Sequence, residues 1–234
     1  MESLEQRNFN EPPVIINANE PHMALVFLLD TSGSMGWPED NPAINNLNDG
    51  LNRFKIEVSE NKQTRDILDI AIVEFNTNFQ VIQEFVPVEY MDQVNLEATG
   101  GTVLSPAIRK ALDMVNERSR FYRRSGSEPY KPWVMLISDG APSDDITAVA
   151  QEIKDMEEAG KVSFRSLGVG DYDSKTLHIL SGPKVMKLDG TDFSSFFDWV
   201  NKSMRSVSQS SPGEKPKAVD LEGNVTVDRN TDWD

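Results

Sequence analysis

Short apolar runs of strand length alternate along this chain with segments of helical period, and that alternation leaves little choice of architecture. Ala24 to Leu29 is a continuous apolar run, as expected of a central strand covered on both faces. Asn41 before Pro42 reads as an N-cap and first-turn signal, and Ile44, Leu47, Leu51, Phe54 and Val58 then recur at spacings of three and four, predicting a helix that ends near Asn61. Ile67 to Phe75 and Phe79 to Val86 are strand-like, and Asn76-Thr77-Asn78 between them is too short for anything but an antiparallel hairpin. Beyond it, Ser105-Pro106 opens a helix carrying Ile108, Ala111, Leu112 and Val115, and Trp133 to Ile137 is a buried-strand run. Ser143 is placed to cap a helix with Ile146, Val149, Ile153 and Met156. Val162 to Val169 predicts a strand, Ser174 to Leu180 a short helix, Val185 to Leu188 a short strand, and Phe193 to Val207 a C-terminal helix. Right-handed crossovers then give an α/β fold: a mainly parallel central sheet, one antiparallel edge strand, and helices on both faces.

Length and charge narrow the class further. A chain of 234 residues, 38% hydrophobic, can bury a single large core. Residues 1–20, with adjacent prolines, read as an N-terminal arm in which Val14 to Ile16 could add a short edge strand. Residues 21–209 form the folded domain, and 210–234 an acidic, flexible tail entered through the linker-like SQSSPGEKPK. The net charge of −15, about −9 of it in the domain, repels nucleic acid and anionic membrane surfaces and concentrates cations, so neither is an expected partner. The absence of cysteine excludes disulfides, thiolate zinc sites, iron–sulfur clusters and a cysteine nucleophile. The opening MESLEQRNFNEPP has no basic or apolar leader character, and Met23 to Leu29 is about a third of a membrane span, so a cytoplasmic protein is expected. On that reading the N-x-[ST] matches at Asn201 and Asn224 are chance.

Chemistry concentrates immediately after the first strand, in Asp30-Thr31-Ser32-Gly33-Ser34-Met35. Open α/β sheets bind ligands beyond the carboxyl ends of their strands, where the crossover direction switches. A carboxylate and two hydroxyls at i, i+2 and i+4 can converge there if the loop turns tightly. Thr99-Gly100-Gly101-Thr102 and Ser138-Asp139-Gly140 share that end of the sheet. Asp30, Ser32, Ser34, Thr102 and Asp139 thus form an all-oxygen candidate metal set that suits Mg²⁺, with Mn²⁺ or Ca²⁺ as other hard cations. Thr99 either tunes the site through water or is a plain loop hydroxyl. Asp144 and Asp145 read as helix N-terminal carboxylates rather than ligands.

This motif set, D-x-S-x-S, then a G-G-T loop, then a strand ending in S-D-G, resembles the von Willebrand factor A (vWA) domain over residues 22–208. The resemblance implies a Rossmann-like fold with a metal-ion-dependent adhesion site at those five positions, no catalytic residues, and capture of a partner protein's Asp or Glu carboxylate by the bound metal. It also implies that the last helix moves on ligand binding, with the linker after it giving room. Thr99 to Leu104, Lys131-Pro132-Trp133, Asp139 to Asp144 and the ending FFDWVNKSMRSVSQS are similar to the bacterial tellurite-resistance TerY subgroup. That similarity implies partners such as a serine/threonine kinase and a metal-dependent phosphatase in a stress-response or phospho-signalling system. Ser143 stands where the family commonly has Thr, and the arm at 1–20 is longer than the family's lead-in.

Enzyme readings are weaker on the residues. Asp30-Thr31-Ser32 lacks the second aspartate of a haloacid-dehalogenase phosphatase, Gly168-Val169-Gly170 meets Asp173 where a dinucleotide fingerprint needs Gly, and there is no P-loop. A Ser-His-Asp triad stays open, since His22 and Ser32 both exist, although neither Ser32 nor Ser34 forms a nucleophile elbow. The alternative function is a metal-assisted hydrolase using the same ion, which would need a positioned general base beside it.

Overall fold

A computed structural model describes residues 20–229. The chain runs through β1 (Met23–Asp30), α1 (Ala43–Glu60), α2 (Lys62–Ile67), β2 (Leu68–Phe75), β3 (Phe79–Pro87), α3 (Ser105–Arg124), β4 (Trp133–Ser138), α4 (Thr147–Glu158), β5 (Ser163–Val169), α5 (Ser174–Ser181), β6 (Val185–Leu188), α6 (Ser194–Ser208) and β7 (Val225–Val227). One seven-stranded sheet results, in the order β3-β2-β1-β4-β5-β6-β7. The five inner strands are parallel and both outer strands antiparallel. The three-residue link after Phe75 dictates the reversal at β3, and the helical crossovers permit only parallel neighbours elsewhere.

The central run is apolar without alternation because both its faces are covered. Leu25, Phe27 and Leu29 enter the core formed with α1 and α6, while Val26 and Leu28 enter the one formed with α3, α4 and α5. β1 pairs with β2 on one side and β4 on the other, Phe27 lying level with Ile72 and Met135. The chain leaves β1 toward β2 in one direction and reaches β4 in the other, so the switch point lies at the carboxyl ends of β1 and β4. Asp30 and Ser138 are the last residues of those strands. Among the described residues, no helix is long and apolar enough to cross a membrane.

Several local expectations need correction. The cap of α1 is Pro42, and the Asn41 side chain instead donates to Thr191 across the molecule. Asn61 does end α1, but its carboxamide also caps α2, an unanticipated helix that takes Ile67 from the expected strand. Ser143 does not cap α4, because its hydroxyl donates to the Thr102 carbonyl, and Asp145 accepts from Thr147 N–H at the start of that helix.

The largest difference concerns the expected flexible tail at 210–234. Its described part folds back over the domain: Tyr130 Oη donates to Ser210 O, Ser206 Oγ to Lys217 O, and Trp199 Nε1 to Val219 O. Val219 and Leu221 pack against the core, and β7 closes the outer edge of β6 with Val225 only 1% exposed. A four-residue β6 would otherwise leave an open edge. Polar composition hid this segment, since widely spaced Val219, Leu221 and Val225 give no clear periodicity. The helix α6 is therefore strapped rather than followed by an open linker. The arm, with its expected strand at Val14 to Ile16, lies outside the described residues except for Glu20.

Candidate metal centre

Asp30 is fully buried at the end of β1, and its carboxylate organises the loop that follows. Ser32 N–H donates to Asp30 Oδ1 at 2.8 Å, an Asx-type closure that turns the chain directly after the strand. Ser138 Oγ, at the end of β4, donates to Asp30 Oδ2 at 2.5 Å and ties the two strand ends together. A 3-10 turn over Gly33–Gly36 then brings the second hydroxyl back: Ser32 Oγ and Ser34 Oγ stand 3.1 Å apart, and Ser34 Oγ donates to Asp139 Oδ1 at 2.8 Å.

Thr102 reaches the same spot from the loop before α3. A Cβ built on Gly140 would lie 3.6 Å from Thr102 Oγ1 and 3.9 Å from Ser34 Oγ, so both hydroxyls flank the glycine that follows Asp139. Three loops are locked together beneath them. Thr99 N–H donates to Thr31 O, Gly33 N–H to Gly100 O, and Ser143 N–H to Thr102 O. The structure therefore brings together Asp30, Ser32, Ser34, Thr102 and Asp139. Thr99 contributes its backbone N–H to Thr31.

The electrostatics fit a cation. Burial is the main cause that pushes the Asp30 carboxyl up to about 6, against the hydrogen bonds from Ser138 and Ser32 and with a small addition from the charge of Asp139. Burial likewise raises Asp139, opposed first by the Ser34 hydroxyl. Two carboxylates thus share a partly dry site with hydroxyls, an arrangement that a divalent cation would neutralise. The donor set is oxygen only and so suits a hard ion. Among the described residues no group of three or more imidazole or carboxylate side chains converges as a metal site. Here the hydroxyls complete the set.

Neither histidine serves this site. His22 directly precedes β1 and stacks on Tyr122, a strand length of roughly 26 Å from Ser32 at about 3.3 Å per residue, so the His22–Ser32 triad does not form. His178, on α5, is bonded through Nδ1 to Ser174 O and faces Asp228.

Two supporting residues escaped the sequence reading, and a third was assigned to the wrong helix. Ser138 was visible only as a motif letter beside Asp139. Thr31 lies between two candidate ligands, donating through Oγ1 to Phe75 O and accepting from Asn76 Nδ2. Asp144 is a helix N-terminal carboxylate as expected, but for α3 rather than the helix that follows it, accepting from Leu104 and Ser105 N–H at 2.8 Å each. It thereby fixes the chain two residues beyond Thr102.

The von Willebrand factor type A domain family model matches residues 24–199, and the chain belongs to that family. No curated protein matches it in sequence. Among solved structures, the pilus adhesin SpaC of Lactobacillus rhamnosus GG superposes with a TM-score of 0.65 at 14% identity, over 80% of this chain and 31% of that one. A von Willebrand factor type A protein from Catenulispora acidiphila gives 0.61 at 16% identity, over 80% and 43%. Proximal thread matrix protein 1 from the mussel byssus, with a zinc-occupied MIDAS motif, gives 0.51 at 19% identity, over 83% and 46%. The chain therefore spans less than half the length of these three structures, and at such identities the likeness is one of fold.

Proposed function

We propose that Asp30, Ser32, Ser34, Thr102 and Asp139 form a metal-ion-dependent adhesion site that holds Mg²⁺ and, through it, binds an Asp or Glu carboxylate of a partner protein. The observation that carries this reading is the convergence of two carboxylates and three hydroxyls from three loops on one spot at the switch point. An all-oxygen set with only two formal charges suits Mg²⁺, which keeps several waters in octahedral geometry, with Mn²⁺ as its closest substitute. Ser32 Oγ and Ser34 Oγ stand 3.1 Å apart and Ser34 Oγ lies 2.8 Å from Asp139 Oδ1, so the donors already lie within hydrogen-bond reach of one another. When bound, the ion supplies an electrophilic coordination position that an incoming carboxylate can occupy.

The protein's own residues keep that position acidic. Only Asp30 and Asp139 bring formal charge, and the hydroxyls bring none. Zinc at the MIDAS motif of the mussel protein supports divalent occupancy in this fold. Beside the site, Trp37 is 63% exposed and its backbone N–H donates to Ser34 O, so it offers a partner a large apolar anchor next to the captured carboxylate. The TerY resemblance of Thr99 to Leu104 and of 196–210 supports a cytoplasmic stress-response or phospho-signalling role. The partners on that reading are a serine/threonine kinase and a metal-dependent phosphatase.

Water-proton relaxation of the Mn²⁺-loaded protein tests the open position. Acetate should displace metal-bound water and lower the relaxivity in the wild type. An unchanged relaxivity at saturating acetate would show that no exchangeable position exists.

A further inference from the structure

A groove of about 470 Å³ runs from the candidate metal centre down the outer part of the sheet, between β2–β3 and the segment 92–99. Its construction begins on α1. Asn48 and Asn52 each clamp one residue of that segment through both backbone groups: Leu96 N–H and C=O bond to Asn48, and Val94 N–H and C=O to Asn52, all at 2.8–2.9 Å. Four residues of helix rise about 6 Å, and two residues of extended chain cover about 6.6 Å, so the clamp fits only if the segment is extended. Val94 and Leu96 are buried accordingly, while Gln93, Asn95 and Glu97 are exposed.

In an extended chain, alternate residues present their N–H and C=O on opposite sides. The clamp uses the side of 94 and 96. Among the described residues, the N–H and C=O groups of Gln93, Asn95 and Glu97 meet no hydrogen-bond partner. They form an unpaired strand edge along the wall of the groove. The floor carries half-buried Glu74 of β2 and half-buried Ile82 of β3, laid over the fully buried Ile72 two residues before Glu74 on the same face. No lysine, arginine or histidine lines the groove, and Asp92 and Glu97 add acid at its rim. Burial alone raises the Glu74 carboxyl, with neither a cation nor a hydrogen bond to offset it.

The geometry points to a second docking site: an extended segment of a partner protein that pairs with the edge at 93–97 and sets an apolar residue over Ile82 and a basic residue, two positions away, against Glu74. Strand addition supplies the main-chain bonds, and the floor selects the side chains. A lysine stem can lie along Ile82 while its ammonium reaches Glu74. The groove ends at Asn76 and Thr99, both bonded to Thr31 between Asp30 and Ser32, so a segment leaving it arrives at the metal centre. The site does not require that centre to be occupied.

An acetylated, amidated Lys-Thr-Val-Thr-Lys peptide presents a lysine two residues from a valine in either chain direction. Titrated into the full chain in EDTA and followed by amide NMR, it should shift the Gln93, Asn95 and Glu97 resonances and bind about fivefold more weakly to Glu74→Gln, whose melting temperature is measured in parallel. A Glu-Thr-Val-Thr-Glu peptide should not bind, and N-methylation of the lysine peptide should abolish its binding. Replacing EDTA by Mg²⁺ should leave the lysine peptide's affinity unchanged, which separates this site from the metal reading. Shifts located elsewhere, equal affinity for Glu74→Gln, or tolerance of N-methylation would overturn the proposal.

Discussion

Replacing Asp30 by Asn is expected to make the metal-free protein more stable while removing its response to metal. The Asp30 carboxyl is fully buried and raised from 3.8 to about 6, chiefly by desolvation. At about 1.4 kcal/mol per unit, the ionised form costs the empty site about 3 kcal/mol near pH 7. Because the folded-state value lies above the unfolded one, the advantage of the protonated form is complete below about pH 4 and is lost as pH rises through about 6. Asn keeps the acceptor for Ser32 N–H, but its amide replaces the oxygen that accepts from Ser138, so part of the gain is forfeited. A net gain of about 1–2 kcal/mol remains, or roughly 2–8 °C for a chain of this size. Thermal melts in EDTA at pH 7.5 should show the variant above the wild type, and the gap should close toward pH 4. Adding Mg²⁺ should raise the wild type and leave the variant unmoved. A variant less stable than the wild type in EDTA, or one that still gains from Mg²⁺, would refute the reasoning.

Other perturbations probe the supports. Asp144→Ala releases two N–H groups at the start of α3 and should cost about 1–2 kcal/mol in denaturant melts while weakening metal affinity through Thr102; unchanged affinity would detach Asp144 from the site. Asn52→Ala removes both bonds to Val94 and should cost about 1–3 kcal/mol, with faster hydrogen exchange at the Val94 and Leu96 amides. Ending the chain at Leu221 removes β7 and the Lys202–Glu222 pair; it should lower the melting temperature and speed exchange in α6, whereas an unaltered α6 would mean that the strap carries no load.

Asp30, Ser32 and Ser34 were legible in the sequence because they fall within five residues directly after an unmistakable strand. Thr102 and Asp139 were legible because topology, not sequence proximity, places their loops at the same end of the sheet. What stayed hidden depends on contacts across long stretches of chain. Asn48 and Asn52 lie between the apolar positions of α1 and look like ordinary polar helix residues until the segment 92–99 lies against them. Asp144 sits where a cap for its own helix is expected, and only the packed loops reveal that it serves α3. The strand β7 is three residues long in a polar, acidic stretch that follows the Pro-, Ser- and Lys-rich 208–217, and its partner edge is β6 rather than any local hairpin.

Isothermal titration of Mg²⁺ into metal-free protein, wild type beside the Ser32→Ala, Ser34→Ala double variant, tests the central claim most directly. The variant keeps both carboxylates and removes only the two hydroxyls of the loop after β1. A single saturable site in the wild type, lost or weakened at least about tenfold in the variant, is the predicted result. Equal Mg²⁺ binding by both proteins would contradict it and reduce the site to a pair of acidic side chains.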